Sequence, residues 1–133
     1  MKQIHFHEKY PITVVEVKKS ETSYASVNDI AEYFRKQIAA NEKVAYIGTF
    51  DHYAHTAQMG GEIASEITAA VNVVFCFGFA LPNPQVLAVR PRSIGIADVG
   101  DHFVVSFMDA PMKPANDAMQ AWAFVILGKT YQR

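Results

Sequence analysis

The sequence predicts an α+β fold: a two-layer sandwich in which two helices pack on one face of a mixed, mostly antiparallel sheet. Three observations carry this expectation. The run Ile12–Lys18 is rich in β-branched residues; two stretches, opening at Ser26 and Asn116, repeat their apolar residues at helical spacing; and two alternating runs flank the turn Val99-Gly100-Asp101. The 133 residues are half hydrophobic, enough to bury a core without disulfide or metal. No repeat or linker-like tract interrupts them, so residues 1–133 read as a single domain.

Taken in order, Ile12–Lys18 is the first expected strand, following Pro11. Ser26 then precedes Val27, Ile30, Ala31, Phe34 and Ile38, with Asp29 three residues on as a variant of the capping box, which predicts a helix running to about Ala40. Lys43–Phe50 reads as a strand that ends at Asp51-His52, and Gly60-Gly61 breaks whatever begins at Tyr53. Glu62–Thr68 fits helix and strand patterns about equally and is taken as an extended lead into a strand over Asn72–Gly78. Pro82-Asn83-Pro84 opens a short helical turn near Gln85–Ala88, because proline is tolerated at a first helical position and not in a central strand. Ser93–Asp98 and His102–Met108 form the hairpin. Asn116 is the expected cap of a last helix whose stripe is Met119, Trp122, Ala123, Ile126 and Leu127, ended by Gly128-Lys129.

Charge and composition exclude several functions. Twelve basic residues are spread among thirteen acidic ones, so no basic face is visible and nucleic acid is not an expected partner. The N-terminal residues lack the apolar run of a signal peptide, and no stretch approaches the roughly 18 apolar residues of a membrane helix, which points to a cytoplasmic protein off the membrane. Cys76, the single cysteine, lies in the apolar run Val73–Phe77 with no basic neighbour to activate it, and is expected to be an inert core thiol. Gly60-Gly61 and Gly78 lack the spacing of a phosphate-cradling loop, no serine sits in a nucleophile elbow, and no motif names a cofactor.

Four stretches carry a family likeness: Phe50–Ala57 with its Asp51-His52 pair, Val73–Gly78 ending in Phe77-Gly78, Pro91–Ile96, and Gly100–Pro111. In these the chain resembles the domain-of-unknown-function family 302, over roughly Pro11 to Pro111. The resemblance implies a compact bacterial α+β domain that forms a homodimer, and it transfers no reaction. The chain departs from the family pattern where Gly78–Pro84 carries extra residues and where arginines stand on both sides of Pro91.

Asp51, His52 and His55 form the most informative polar group. Histidines three apart can face one way on a helical turn, and Asp51 could hold the second ring proton of one of them, the start of a metal site on His52 and His55. The plainer reading is that Asp51 caps the turn and backbone groups satisfy the histidines. His5 and His7 alternate and would share a strand face, although residues this near a terminus are more often simply exposed. Arg90 and Arg92 alternate around Pro91 and could clasp a carboxylate or phosphate; the plainer alternative pairs them with Asp98, Asp101 or Asp109. Glu62 and Glu66 would face one way only on a helix and support no mechanism.

Three functions follow. The leading one is a domain binding a small anionic or apolar ligand at Asp51, His52, His55, Arg90 and Arg92, which requires those residues to converge. The second is an enzyme using His52 as general base oriented by Asp51, or a metal on His52 and His55. The third is a dimeric structural or regulatory protein presenting an apolar edge, to which Phe79, Leu81 and Met112 would contribute.

Overall fold

The strand runs that read as alternating in sequence pair into one six-stranded sheet in the computed structural model, which describes residues 1–128. In chain order the elements are β1 (Lys2–Phe6), β2 (Tyr10–Lys18), α1 (Val27–Ala39), β3 (Val44–Asp51), α2 (His52–Gln58), β4 (Ala69–Phe77), β5 (Arg92–Asp98), β6 (His102–Met108) and α3 (Lys113–Val125), with 3-10 turns at Lys19–Glu21 and Pro84–Val89. The strands lie in the order β1-β2-β6-β5-β4-β3. Every pairing is antiparallel, so the mixed sheet expected from sequence is corrected to a purely antiparallel one. The α+β class stands as expected.

Strand periodicity sorts the residues between two faces. Val71, Val73, Phe75 and Phe77 of β4 point inward with Ile94 and Ile96 of β5 and Phe103 and Val105 of β6, and all are buried. Their neighbours Asn72, Val74, Cys76, Gly95 and Ser106 point to the opposite face. Cys76 is therefore half-buried on that outer face and outside the core, against the expectation, because it alternates with the phenylalanines on either side. Two helices cover the inner face: α1 lies over β3, β4 and β5, and α3 reaches β2.

The cap of α1 forms as the sequence indicates. Ser26 accepts the Asp29 N–H at 3.2 Å, and the Asp29 carboxylate accepts the Ala25 N–H at 2.9 Å. Val27, Ile30, Ala31, Phe34 and Ile38 are its buried stripe. The start of α3 differs from expectation. Met112 is its N-cap and Pro114 occupies its first turn, while Asn116 lies inside the helix, its N–H bonded to Met112 O at 3.0 Å. The Asn116 side chain instead accepts the Ala110 N–H at 2.8 Å, tying the incoming chain to the helix. The predicted stripe holds, with Met119, Trp122, Ala123 and Ile126 buried and Leu127 packed against them; Gly128 takes φ +74°, as a helix-ending glycine does, and Lys129 lies outside the described residues.

β1 has no counterpart in the sequence reading. All five of its residues are exposed, so it shows no amphipathic alternation, and its turn to β2 places His7 and Glu8 at φ +51° and +62° without the glycine or asparagine that announces such turns. β4 begins at Ala69, three residues earlier than expected, and 61–68 is irregular, so Glu62 and Glu66 share no helix face.

A part-buried hydrogen bond joins the two covering helices. The Tyr33 hydroxyl donates to the Trp122 carbonyl at 2.6 Å, and burial, helped by the nearby Tyr24 phenol, pushes the Tyr33 pKa up to about 12. The unfolded chain releases that proton near pH 10, so stability present below about pH 10 is lost as pH rises towards 12. Because Tyr33 is only half-buried, solvent screening reduces the loss to about 1 kcal/mol. Urea midpoints at pH 9 and 11.5 are expected to fall further in the wild type than in Tyr33→Phe; parallel declines would rule the linkage out.

Candidate functional site

At the end of β3 the backbone turns directly into α2, and Asp51 makes that turn possible: its carboxylate accepts the Ala54 N–H at 2.9 Å. Asp51 therefore caps α2 and does not orient His52. That role falls to Asn72, whose side-chain oxygen lies 2.9 Å from His52 Nδ1. If the Asn72 oxygen is the acceptor, a neutral His52 ring carries its proton on Nδ1 and leaves Nε2 free. The Phe50 ring lies 5.4 Å from the His52 ring and 5.1 Å from that of His55, and the two imidazole centroids are 6.4 Å apart. His52, Tyr53 and Thr56 form one wall of a cleft of about 210 Å³ whose other wall is Glu62, Ile63 and Ile67. No three His, Cys, Asp or Glu side chains gather as metal ligands among the described residues.

His5 and His7 do not share a strand face. His5 lies within β1, while His7 belongs to the turn, its ring edge-on to Phe6 at 4.1 Å.

Arg90 and Arg92 lie elsewhere. Asp51 stands opposite Val71 on β4 and Arg92 opposite Phe75, four residues along the strand and about 13 Å away at ~3.3 Å per residue. By strand alternation Asn72 and its partner His52 lie on the outer face and Arg92 starts on the inner face with Phe75, although Arg92 also borders the outer groove that Asn72 lines. The five residues expected to converge thus form two separate groups.

The 3-10 turn Pro84–Val89, capped by the Asn83 side chain on the Val86 N–H, delivers the chain to the cis Arg90-Pro91 bond and the start of β5. Both arginines then line one small cavity of about 20 Å³ with Phe77, Val89, Pro111 and Met112. Arg90 donates to Ala80 O and to Met112 Sδ, the latter at 3.4 Å; Arg92 donates to Val89 O at 3.3 Å and to Met108 O. Arg92 Nε is buried without a partner. Among the described residues neither guanidinium makes an ion pair. The aspartates expected to neutralise them are engaged elsewhere: Asp98 with Lys19 at 2.9 Å, Asp101 with His102 at 2.6 Å, and Asp109 as acceptor from Gln3 and from the Thr13 hydroxyl. Burial lowers the Arg92 pKa, a fall that the Asp109 charge only partly offsets.

Sequence reasoning missed Asn72, which had one detectable signal as the single polar side chain in the run Val71–Phe77; Met112, expected on an apolar edge, lines the arginine cavity.

Fold and site together define a small α+β domain: an open antiparallel sheet backed by two helices, with paired arginines at the end of a central strand. The chain belongs to a family of unknown function, DUF6858, whose model matches residues 1–127. A family without an assigned function was expected, in the form of family 302; the family shown is DUF6858. No curated protein matches the chain. No helix of the described residues is long and apolar enough to cross a membrane.

Proposed function

We propose that the protein is a small-molecule binding domain that holds an anion with an apolar body, such as a carboxylate on a short hydrocarbon or aromatic group, at Arg90 and Arg92. One observation carries the reading: two guanidiniums line an apolar cavity with no carboxylate at ion-pair distance among the described residues. An arginine stays charged throughout the physiological range, and a half-buried charge that donates only to neutral acceptors is incompletely compensated. A ligand carboxylate would supply the missing charge, and Phe77, Val89 and Met112 would meet its apolar part.

A volume of about 20 Å³ holds little more than one water, so binding requires the turn Pro84–Val89 to shift outward. The backbone bonds that close that turn, Val86 N–Asn83 O and Arg90 N–Leu87 O, are both 3.4 Å long, so the Asn83 cap on Val86 N–H and the Arg92 bond to Val89 O are its main ties. Leu87 within that turn and Leu81 just before it are 64% and 73% exposed, apolar side chains free to repack when the turn shifts. A distant relation to domain-of-unknown-function family 302 belongs to the same reading, supported by the Asp51-His52 strand end and the proline-led β5.

Calorimetric titration with octanoate, benzoate and inorganic phosphate tests the proposal. Octanoate is expected to bind with a Kd of about 100 µM or tighter and to raise the melting temperature, with phosphate weaker because it leaves the apolar wall unfilled. Absence of heat and of any thermal shift at millimolar concentrations of all three would rule it out.

A second reading, an enzyme using His52 as general base, is favoured by the Asn72 contact that frees Nε2 beside the cleft. It requires the Nδ1–H tautomer, and a ring-nitrogen NMR spectrum showing the proton on Nε2 would remove it.

A further inference from the structure

The outer face of the sheet departs from what a solvated face should be. An antiparallel sheet covered on one side normally turns charged and polar residues to the other. Here the outward positions of β3, β4, β5 and β6 contain no Asp, Glu, Lys or Arg over a span of four adjacent strands. The centre is small or weakly polar, at Gly95, Ala97 and Ser106, and large apolar side chains stand around it: Phe50, Met108, Ile4 and Phe6 are 43%, 49%, 38% and 51% exposed. The charges that do face outward, Lys2, Glu16 and Lys18, are confined to one corner on β1 and β2, where Lys2 and Glu16 pair at 3.9 Å.

We propose that this face, open except at the β3–β4 corner where α2 packs, is where two copies of the chain meet, sheet against sheet about a two-fold axis. Two features select a second copy. A two-fold contact sets each residue near the axis against its own counterpart, so a charge there would meet its like; the centre of this face carries none. The area also suffices. Six strands about 4.8 Å apart and some seven residues long at ~3.3 Å each span about 24 by 23 Å in plan; less the corner that α2 covers at Phe50 and Asn72, the corrugated surface left is of the order of the smaller contacts that hold complexes together. Depletion of charge at the core is the compositional mark of such interfaces. The shallow groove of about 290 Å³ between Asn72, Ser93, Gly95 and Ser106, which Arg92 borders at the β5 end, holds bridging water when the pair closes. The inference does not rest on the arginine site, although Arg92 borders both its cavity and the end of this groove.

Sedimentation equilibrium of the full chain from 0.1 to 100 µM tests it. The expected mass at the upper end is twice 14.8 kDa. Ser93→Lys and Ala97→Glu, each facing outward, are expected to weaken the pair at least 100-fold with circular dichroism unchanged, while Lys36→Glu on the exposed side of α1 leaves it intact. A 14.8 kDa species at 100 µM overturns the proposal and leaves the face to a different protein, as does a dimer that survives both folded variants. Cys76 provides a readout that needs no variant. Because it lies on the same face, its maleimide labelling in the wild type is expected to slow at least tenfold between 0.1 and 100 µM protein, and a constant rate overturns the proposal.

Discussion

Trp122→Ala is expected to lower the stability of the folded protein by about 3–4 kcal/mol, among the largest effects of any single substitution in this chain. Trp122 is the member of α3 that reaches the aromatic centre of the core. Its ring stacks on Phe77 at 6.1 Å with 7° between planes and meets Phe75 edge-on at 5.8 Å, while Phe77 stacks in turn on Phe79 at 5.4 Å. Losing the indole removes buried area and two aromatic pairs, each worth about 0.5–1.5 kcal/mol beyond its area. The cost stays below the top of the range for such changes because Trp122 also borders the open cleft beside Asn41 and Lys43, through which water can enter the space left behind. The Tyr33 hydrogen bond survives, since it uses the backbone carbonyl. Urea unfolding with a shared m-value provides the measurement, and Val125→Ala on the same helix, 45% exposed, is the comparison, expected within about 0.5 kcal/mol of the wild type. Equal losses in the two variants would mean that helix propensity and not the aromatic cluster dominates.

Most of this core was legible because burial imposes a period. Ile30, Phe34 and Ile38 repeat at helical spacing, and Ile94, Ile96, Phe103, Val105 and Phe107 alternate, since each must face the same apolar interior. Where burial imposes nothing, the sequence is silent. β1 is exposed throughout and joins the sheet through backbone bonds to β2, which any side chains permit, with the contacts of Gln3 on Asp109 and Lys2 on Glu16 added at its surface. The start of α3 was misplaced because Asn116 is a good cap residue by type, yet its side chain was needed at Ala110 N; Pro114, pre-set for a first turn, was the better guide. The site failed for a different reason. Arg92 and Asp51 both lie near strand ends, but opposite which β4 residue each one falls depends on strand register, and register is set by hairpin geometry and not by either residue's neighbours in the chain. For the same reason Asn72 could not be tied to His52, twenty residues earlier. The parity of β4 was readable, since Cys76 alternates with phenylalanines that had to be inside, and reading it would have placed the thiol on the outer face.

Arg92→Met is expected to separate binding from stability. Arg92 donates only to carbonyls, leaves Nε buried without a partner, and has its pKa lowered by burial; its cation is therefore poorly compensated in the unliganded protein. An apolar side chain of similar length gives up two hydrogen bonds but also the desolvation cost, so the net change in stability should be near zero or a gain of about 1 kcal/mol. Octanoate affinity should fall at least 100-fold, equivalent to about 2.7 kcal/mol, because the carboxylate loses its fork-shaped partner. Arg92→Lys retains the charge and should restore little, since an ammonium cannot make the paired contacts of a guanidinium. Binding to the wild type should weaken as pH falls through about 4–5, where the ligand carboxylate takes up its proton, while the arginines remain charged throughout. A purely structural role for Arg92 requires the reverse: a loss of 2 kcal/mol or more on replacement by methionine, with octanoate binding unaffected. Thermal unfolding and calorimetric titration of the same two variants distinguish these outcomes, because the ligand reading and the structural reading assign opposite signs to the change in stability.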